Sequence, residues 1–170
     1  MRQFILSIML ISALAAHAQQ KCDMPDSTYW ACAGSGRLYH VCAESTITVQ
    51  TAAKNFIFTA IHFETTQGKY GWAGANDSFG NVLIMRTIDS GKSWLITMMP
   101  ILPKGDAVER IQLVKNLFVF VLLKSGTILR SHDWGCTYIK ASPVPLEGNS
   151  YEQGKKLFEE FIRYFEGNTK

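Results

Sequence analysis

Charge is scarce in this chain. Only 18% of its 170 residues are Asp, Glu, Lys or Arg, and the two signs nearly cancel to a formal +3. A surface so close to neutral carries no electrostatic footprint for nucleic acid, and its scattered basic residues read as solvated surface. Long apolar runs are missing too. The run Phe4-Ile-Leu-Ser-Ile-Met-Leu-Ile-Ser-Ala-Leu14 falls well short of the ~20 residues a spanning helix needs. There is no Gly-x-Ser-x-Gly, no His-Glu-x-x-His and no phosphate loop. His40, His62 and His132 lack metal-ligand spacing. These absences exclude the common catalytic designs: the sequence predicts no enzyme, no metal site and no cofactor.

What is present begins with a leader. Met1-Arg-Gln precedes the apolar run, and Ala16-His-Ala18 supplies a small-x-small cleavage site. Cys22 is preceded by Gln-Gln-Lys, where a lipid-modified cysteine would need small residues. The expected organisation is a signal peptide over 1–18, a β-repeat domain over 19–148 and a C-terminal helix over 149–170. The mature protein is expected in a periplasm or outside the cell, without a membrane anchor.

Two stretches carry one pattern. Thr87-Ile-Asp-Ser-Gly-Lys-Ser-Trp94 and Ser131-His-Asp-Trp-Gly-Cys-Thr-Tyr138 both read hydroxyl-x-Asp-x-Gly-x-hydroxyl-aromatic. Their aspartates, Asp89 and Asp133, lie about 44 residues apart, a spacing typical of repeat-built β proteins. The chemistry suits a turn. A short carboxylate accepts from nearby backbone N–H groups, and Gly91 and Gly135 permit a positive φ where the chain reverses. Ser93 or Thr137 can bond back into the loop, and Trp94 or Tyr138 can plug its side.

The repeat extends beyond the turn. Lys69-Tyr-Gly-Trp-Ala-Gly-Ala75 and Gly80-Asn-Val-Leu-Ile-Met-Arg86 precede the first turn; Leu117-Phe-Val-Phe-Val-Leu-Leu123 and Gly126-Thr-Ile-Leu-Arg130 precede the second. Each copy reads strand, turn, strand ending in Arg, Asp-turn, strand. A degraded copy upstream places Gly36 on Gly126 and His40 on Arg130, with Ala43 where the aspartate would stand. The fold expected is all-β: two to three repeat units in an incomplete propeller-like array, with one C-terminal amphipathic helix. A closed propeller typically needs at least four blades, and the chain has room for fewer.

An exported chain with an even set of cysteines, Cys22, Cys32, Cys42 and Cys136, favours two disulfides. If 34–36 forms a tight turn, Cys32 faces Leu38 and not Cys42. The expected pairs are then Cys22–Cys42 and Cys32–Cys136.

The tail changes period. Ser150 and Gln153 form a capping box, and Gly167 is a C-terminal stop. Leu157, Phe158, Phe161, Ile162 and Phe165 fall on one helical face. Lys156–Glu160 and Glu159–Arg163 are spaced to pair on the other. The helix is expected to cap the open side of the array or to dock a partner.

With these turns and with Tyr70-Gly-Trp-Ala-Gly74 ahead of them, residues 55–140 resemble the Asp-box (BNR) repeat proteins: sialidases, sortilin-type receptors and photosystem-assembly propellers. The resemblance implies structural turns away from any ligand site, and no catalytic residue. A sialidase-like site would need converging arginines, and Arg86 and Arg130 occupy equivalent repeat positions instead. Glu64, Asp106 and Glu109 are placed in inter-strand loops without a partner.

A binding module remains. Tyr70, Trp72 and Trp134 are the candidate interface residues; Trp134 stands at the exposed x position of its turn, where Ser90 stands in the other copy. In size, export and turn motif the chain resembles periplasmic immunity proteins. The expected function is a protein-binding immunity or inhibitor protein that neutralises a secreted effector. The alternatives are a propeller-type assembly or adhesion factor handling a membrane complex, or a glycan-binding sialidase-like fragment.

Overall fold

The structure is a computed structural model. It describes residues 29–33, 37–41, 47–51, 55–64, 68–141 and 150–167, the first three of these segments as backbone only. The leader and the cysteines at 22 and 42 lie outside the described residues.

Among the described residues, eleven strands and one helix follow in order. β1 (Tyr29–Ala33), β2 (Arg37–Val41) and β3 (Ile47–Thr51) form an antiparallel sheet. β4 (Ile57–Phe63), β5 (Gly71–Asn76), β6 (Val82–Thr87) and β7 (Leu95–Ile96) form the second, in sequential order. β8 (Val108–Val114), β9 (Phe118–Leu123), β10 (Ile128–Ser131) and β11 (Ile139–Lys140) form the third. The degraded N-terminal copy is therefore a sheet in its own right. In its register Cys32 pairs with Leu38, as the tight turn requires.

β1 runs beside β4, and β4 beside β8. The leading strands thus gather along one line while the later strands of each sheet fan outward, which is the geometry of propeller blades; the array stays open. The repeat pattern in the sequence begins at the second strand of each sheet and omits β4 and β8. Glu109 accordingly belongs to β8, not to a loop.

Side chains alternate across each sheet and build three cores. One face of the second sheet contributes Ala60, Trp72, Val82 and Ile84, which pack on Val108, Ile111, Val121 and Leu129 of the third. The opposite face of the second sheet carries Phe58, Ile61, Phe63 and Met85. Phe120, Leu122 and Ile128, on the far face of the third, meet Phe158 and Ile162 of α1 (Ser150–Gly167). The helix forms where the capping box and apolar period place it. It covers the open face of the last sheet, not an edge. Glu159 pairs with Arg110 of β8 instead of the expected Arg163, because that sheet face brings a guanidinium over the helix.

The outer strands β7 and β11 are two residues each, short as edge strands usually are. Just beyond β7, Met98 forms a bridge to Thr137. Its N–H donates to the Cys136 carbonyl at 3.1 Å, and its carbonyl accepts from Tyr138 N–H at 2.9 Å. This ties the two outer margins together.

Cys136 has a free thiol, so the expected bridge to Cys32 is not formed. The reason is radial. Cys32 lies on β1, beside the inner strand β4, whereas Cys136 lies beyond the outer strand β7. The width of a sheet separates them, about three strand spacings of ~4.8 Å.

His62 joins the inner strands of the second and third sheets. Its Nε2 accepts from Leu113 N–H at 3.3 Å, and its ring lies 6.2 Å from that of Trp72. Burial, then the charge of Arg110, lowers its pKa from 6.5 to about 4. Between these values the unfolded chain holds a proton that the folded chain refuses. Stability is therefore full above pH 6.5 and falls as pH drops towards 4, by about 2–3 kcal/mol. His62→Gln, which keeps an acceptor but does not titrate, should lose less over that window. Urea midpoints at neutral and mildly acidic pH for both proteins test this, and equal losses would refute it.

Candidate functional site

The two Asp-turns are near copies at atomic level. In the first, Asp89 Oδ1 accepts from Ser93 N–H at 2.9 Å and from Thr87 Oγ1 at 2.8 Å, while Oδ2 accepts from Ser93 Oγ at 2.6 Å. In the second, Asp133 Oδ1 accepts from Thr137 N–H at 3.0 Å, Cys136 N–H at 3.1 Å and Ser131 Oγ at 2.7 Å; Oδ2 accepts from Thr137 Oγ1 at 2.6 Å. The carboxylate reaches three and four residues along the chain, further than an Asx-turn would.

The leading hydroxyl has a task that the sequence pattern did not assign. Thr87 Oγ1 accepts from Gly91 N–H at 2.9 Å, and Ser131 Oγ from Gly135 N–H at 2.8 Å. Two consecutive residues take a left-handed backbone in each turn: Ser90 (φ 60°) with Gly91 (78°), and Trp134 (61°) with Gly135 (75°).

Both carboxylates are held well below the usual range, at about 2. For Asp89 the Ser93 hydroxyl is the main cause. For Asp133 burial pushes upward, and the hydrogen bonds from Thr137, Ser131 and Cys136 outweigh it. Protonation would forfeit these bonds, so the turns contribute stability above the ordinary carboxylate pKa and lose it as pH falls towards 2. Asp133→Ala should cost about 1–2 kcal/mol, and Asp133→Asn less because one acceptor oxygen survives. Thermal melts of the pair test the ranking; the reverse order would show that the carboxylate does not organise the turn.

The aromatic ends of the turns differ. Trp94 is half-buried, donates Nε1–H to the Gly91 carbonyl at 3.1 Å and meets Phe63 edge-on at 6.0 Å. Tyr138 is buried in the core between the sheets. Its hydroxyl has no hydrogen-bond partner, and burial pushes its pKa up strongly.

Trp134 is not the free-standing tryptophan that its place in the turn predicted. It is half-buried, and its carbonyl accepts from Trp72 Nε1–H at 3.0 Å. Its ring stacks on Trp72 (centroids 6.4 Å, planes 23° apart) and tilts against Tyr70 at 5.4 Å. The positive φ at Trp134 turns the side chain back onto the preceding sheet. Trp72 itself is buried, with 1% of its surface exposed.

Together these residues form a cleft between the second and third sheets. Its volume is about 330 Å³, and its walls are Tyr70, Trp72, Arg86, Ile88, Trp134 and Cys136. A space at the small end of ligand pockets admits one or two side chains of a partner, not a folded element. Arg86 is half-buried, and no hydrogen bond or ion pair satisfies its guanidinium among the described residues. Asp133 borders the same cleft, but its oxygens are occupied by the turn.

The structure thus brings Tyr70, Trp72 and Trp134 together with Arg86, a residue that the sequence pattern marked only as the repeat equivalent of Arg130. The missing signal was cross-strand register: Arg86 pairs with Trp72 across β5 and β6. Arg130 does not join it. It pairs with Phe120 on the face beneath α1, so the arginines do not converge. Glu64 follows β4 and is buried, which raises its pKa although Lys69 opposes the shift. Asp106 is not without partners: it accepts from Ala107 N–H at 2.8 Å and Ser125 N–H at 3.0 Å. Among the described residues no group of three His, Cys, Asp or Glu could hold a metal ion. No described helix is long and apolar enough to cross a membrane.

No protein-family model and no curated protein matches the chain. Solved structures do. The chain is similar to YCF48 bound to a D1 peptide, with 18% identity, TM-score 0.56 and coverage of 75% of this chain and 40% of that one. It is similar to YCF48 from Cyanidioschyzon merolae, with 17% identity, TM-score 0.52 and coverage of 71% and 38%. A GH74 xyloglucanase from Xanthomonas campestris matches with 11% identity, TM-score 0.48 and coverage of 76% and 23%. The first two likenesses show the fold, a propeller-like array. The chain spans about 40% of the length of the YCF48 structures.

Proposed function

We propose that this chain is a non-enzymatic protein-binding module that grips an extended polypeptide segment in the cleft between its second and third sheets. The observation that carries this reading is the unpaired Arg86 guanidinium set half-buried among Tyr70, Trp72 and Trp134. Aromatic walls favour an apolar or aromatic side chain, and the arginine favours a carboxylate beside it. Support for a peptide ligand comes from YCF48, which shares the fold and has been solved with a D1 peptide bound.

Export through the leader at 1–18 and residence in a periplasm or outside the cell belong to the proposal. Within it, the sequence favours an immunity or inhibitor protein acting on a secreted effector. The peptide-bound neighbour favours the assembly-factor alternative. Capture from periplasmic extract separates these readings. The wild-type protein should retain one protein partner that Arg86→Glu and Trp134→Ala both release, with circular dichroism confirming their fold. A toxin-like partner supports immunity, and a membrane-complex subunit supports assembly. Retention on a glycan array with no protein partner would overturn both.

A further inference from the structure

The cleft has a hidden counterpart. Trp72 stands opposite Arg86 in the second sheet, and Phe120 stands opposite Arg130 in the third. The two faces correspond position for position. On the first, the next sheet stacks, and Trp134 from its turn covers Trp72 with centroids 6.4 Å and planes 23° apart. On the second lies α1, and Phe161 covers Phe120 at 6.1 Å and 20°. Phe165 closes the same ring from the side at 5.3 Å. The helix reproduces the aromatic lid that a following repeat would supply.

The arginines correspond as well, since Arg86 on the first face has no hydrogen-bond partner among the described residues. Arg130 Nε is buried without a hydrogen-bond partner, and an unmet buried donor costs about 1–3 kcal/mol.

We propose that α1 is a surrogate for the next repeat: it fills the stacking position and keeps a second copy of this chain from adding its own sheet there. The excluded occupant is a second copy because the covered face corresponds to the one on which this chain already stacks its own next sheet. Such a head-to-tail contact does not close on itself with a single partner and would build open assemblies. This inference is independent of the ligand cleft.

Gly154 is the place to test it. A Cβ there would lie 2.2 Å from the Gly126 carbonyl oxygen in the β9–β10 turn, so Gly154→Leu should lift the helix. Phe158→Glu combined with Ile162→Glu removes the buried side chains of the same face. Light scattering across a concentration series should give an unchanging mass for the wild type and at least a doubling for both variants. Excess synthetic peptide of residues 150–167 should restore the wild-type mass; the same peptide with both glutamates should not. A wild-type mass in the double variant, with proteolysis showing the tail released, overturns the proposal. Association that the peptide cannot reverse also overturns it, because unspecific sticking of exposed apolar surface has that signature.

Discussion

Trp72→Ala should remove about 4 kcal/mol of folding stability, the largest loss expected from a single substitution in this chain. Trp72 is buried where the second and third sheets meet. Its ring lies between His62, at 6.2 Å, and Trp134, at 6.4 Å. Truncation opens a cavity the size of an indole and releases the Trp134 carbonyl from its donor. Domains are stable by only about 5–15 kcal/mol, so the loss threatens the fold itself. Trp72→Phe keeps most of the apolar volume and gives up the hydrogen bond, for about 1–2 kcal/mol. Urea unfolding followed by circular dichroism measures both. A loss under about 1 kcal/mol for the alanine variant would mean that the sheets do not depend on this wedge.

The second large effect sits across the same contact. Gly135→Ala should cost about 3 kcal/mol, through backbone strain and crowding together. Its φ is +75°, and a Cβ would stand 2.4 Å from Trp72 Nε1 and 2.8 Å from the Tyr138 hydroxyl. Gly105 offers the control. Its φ is +81°, and a Cβ added there would meet nothing within 4 Å, so Gly105→Ala carries the backbone strain alone, about 1 kcal/mol. The difference between the two melts isolates the crowding. Equal losses would place the whole effect in φ and leave the turn without a tight fit against Trp72.

How much of this was legible follows from the range of each interaction. The Asp-turns could be read because the bonds made by their own hydroxyl and carboxylate side chains span at most four residues, as from Asp133 to Thr137. The helix could be read because a capping box and an apolar period are also local signals. The leading strands β4 and β8 escaped the repeat pattern because it was anchored on the turns, which follow them by two strands. The cleft could not be read. It depends on Trp72 and Arg86 being cross-strand neighbours, and on a turn in another sheet folding back over them.

The cysteines show the same divide. Their number and the leader argue for bridges, but pairing is a matter of distance between sheets, which spacing along the chain does not encode. The helix divides likewise: its apolar face was evident, but not the surface it covers.

By itself, the sequence determined the two Asp-turns, the all-β repeat with its terminal helix, and the lack of common catalytic motifs, because these rest on contacts within a few residues of each other. Only the tertiary structure decided that Trp134 closes a cleft over Trp72, that Arg86 stands inside it without a partner among the described residues, that Cys136 keeps its thiol, and that α1 covers the far face of the third sheet. Those outcomes depend on which sheet faces meet, and that is set by long-range packing.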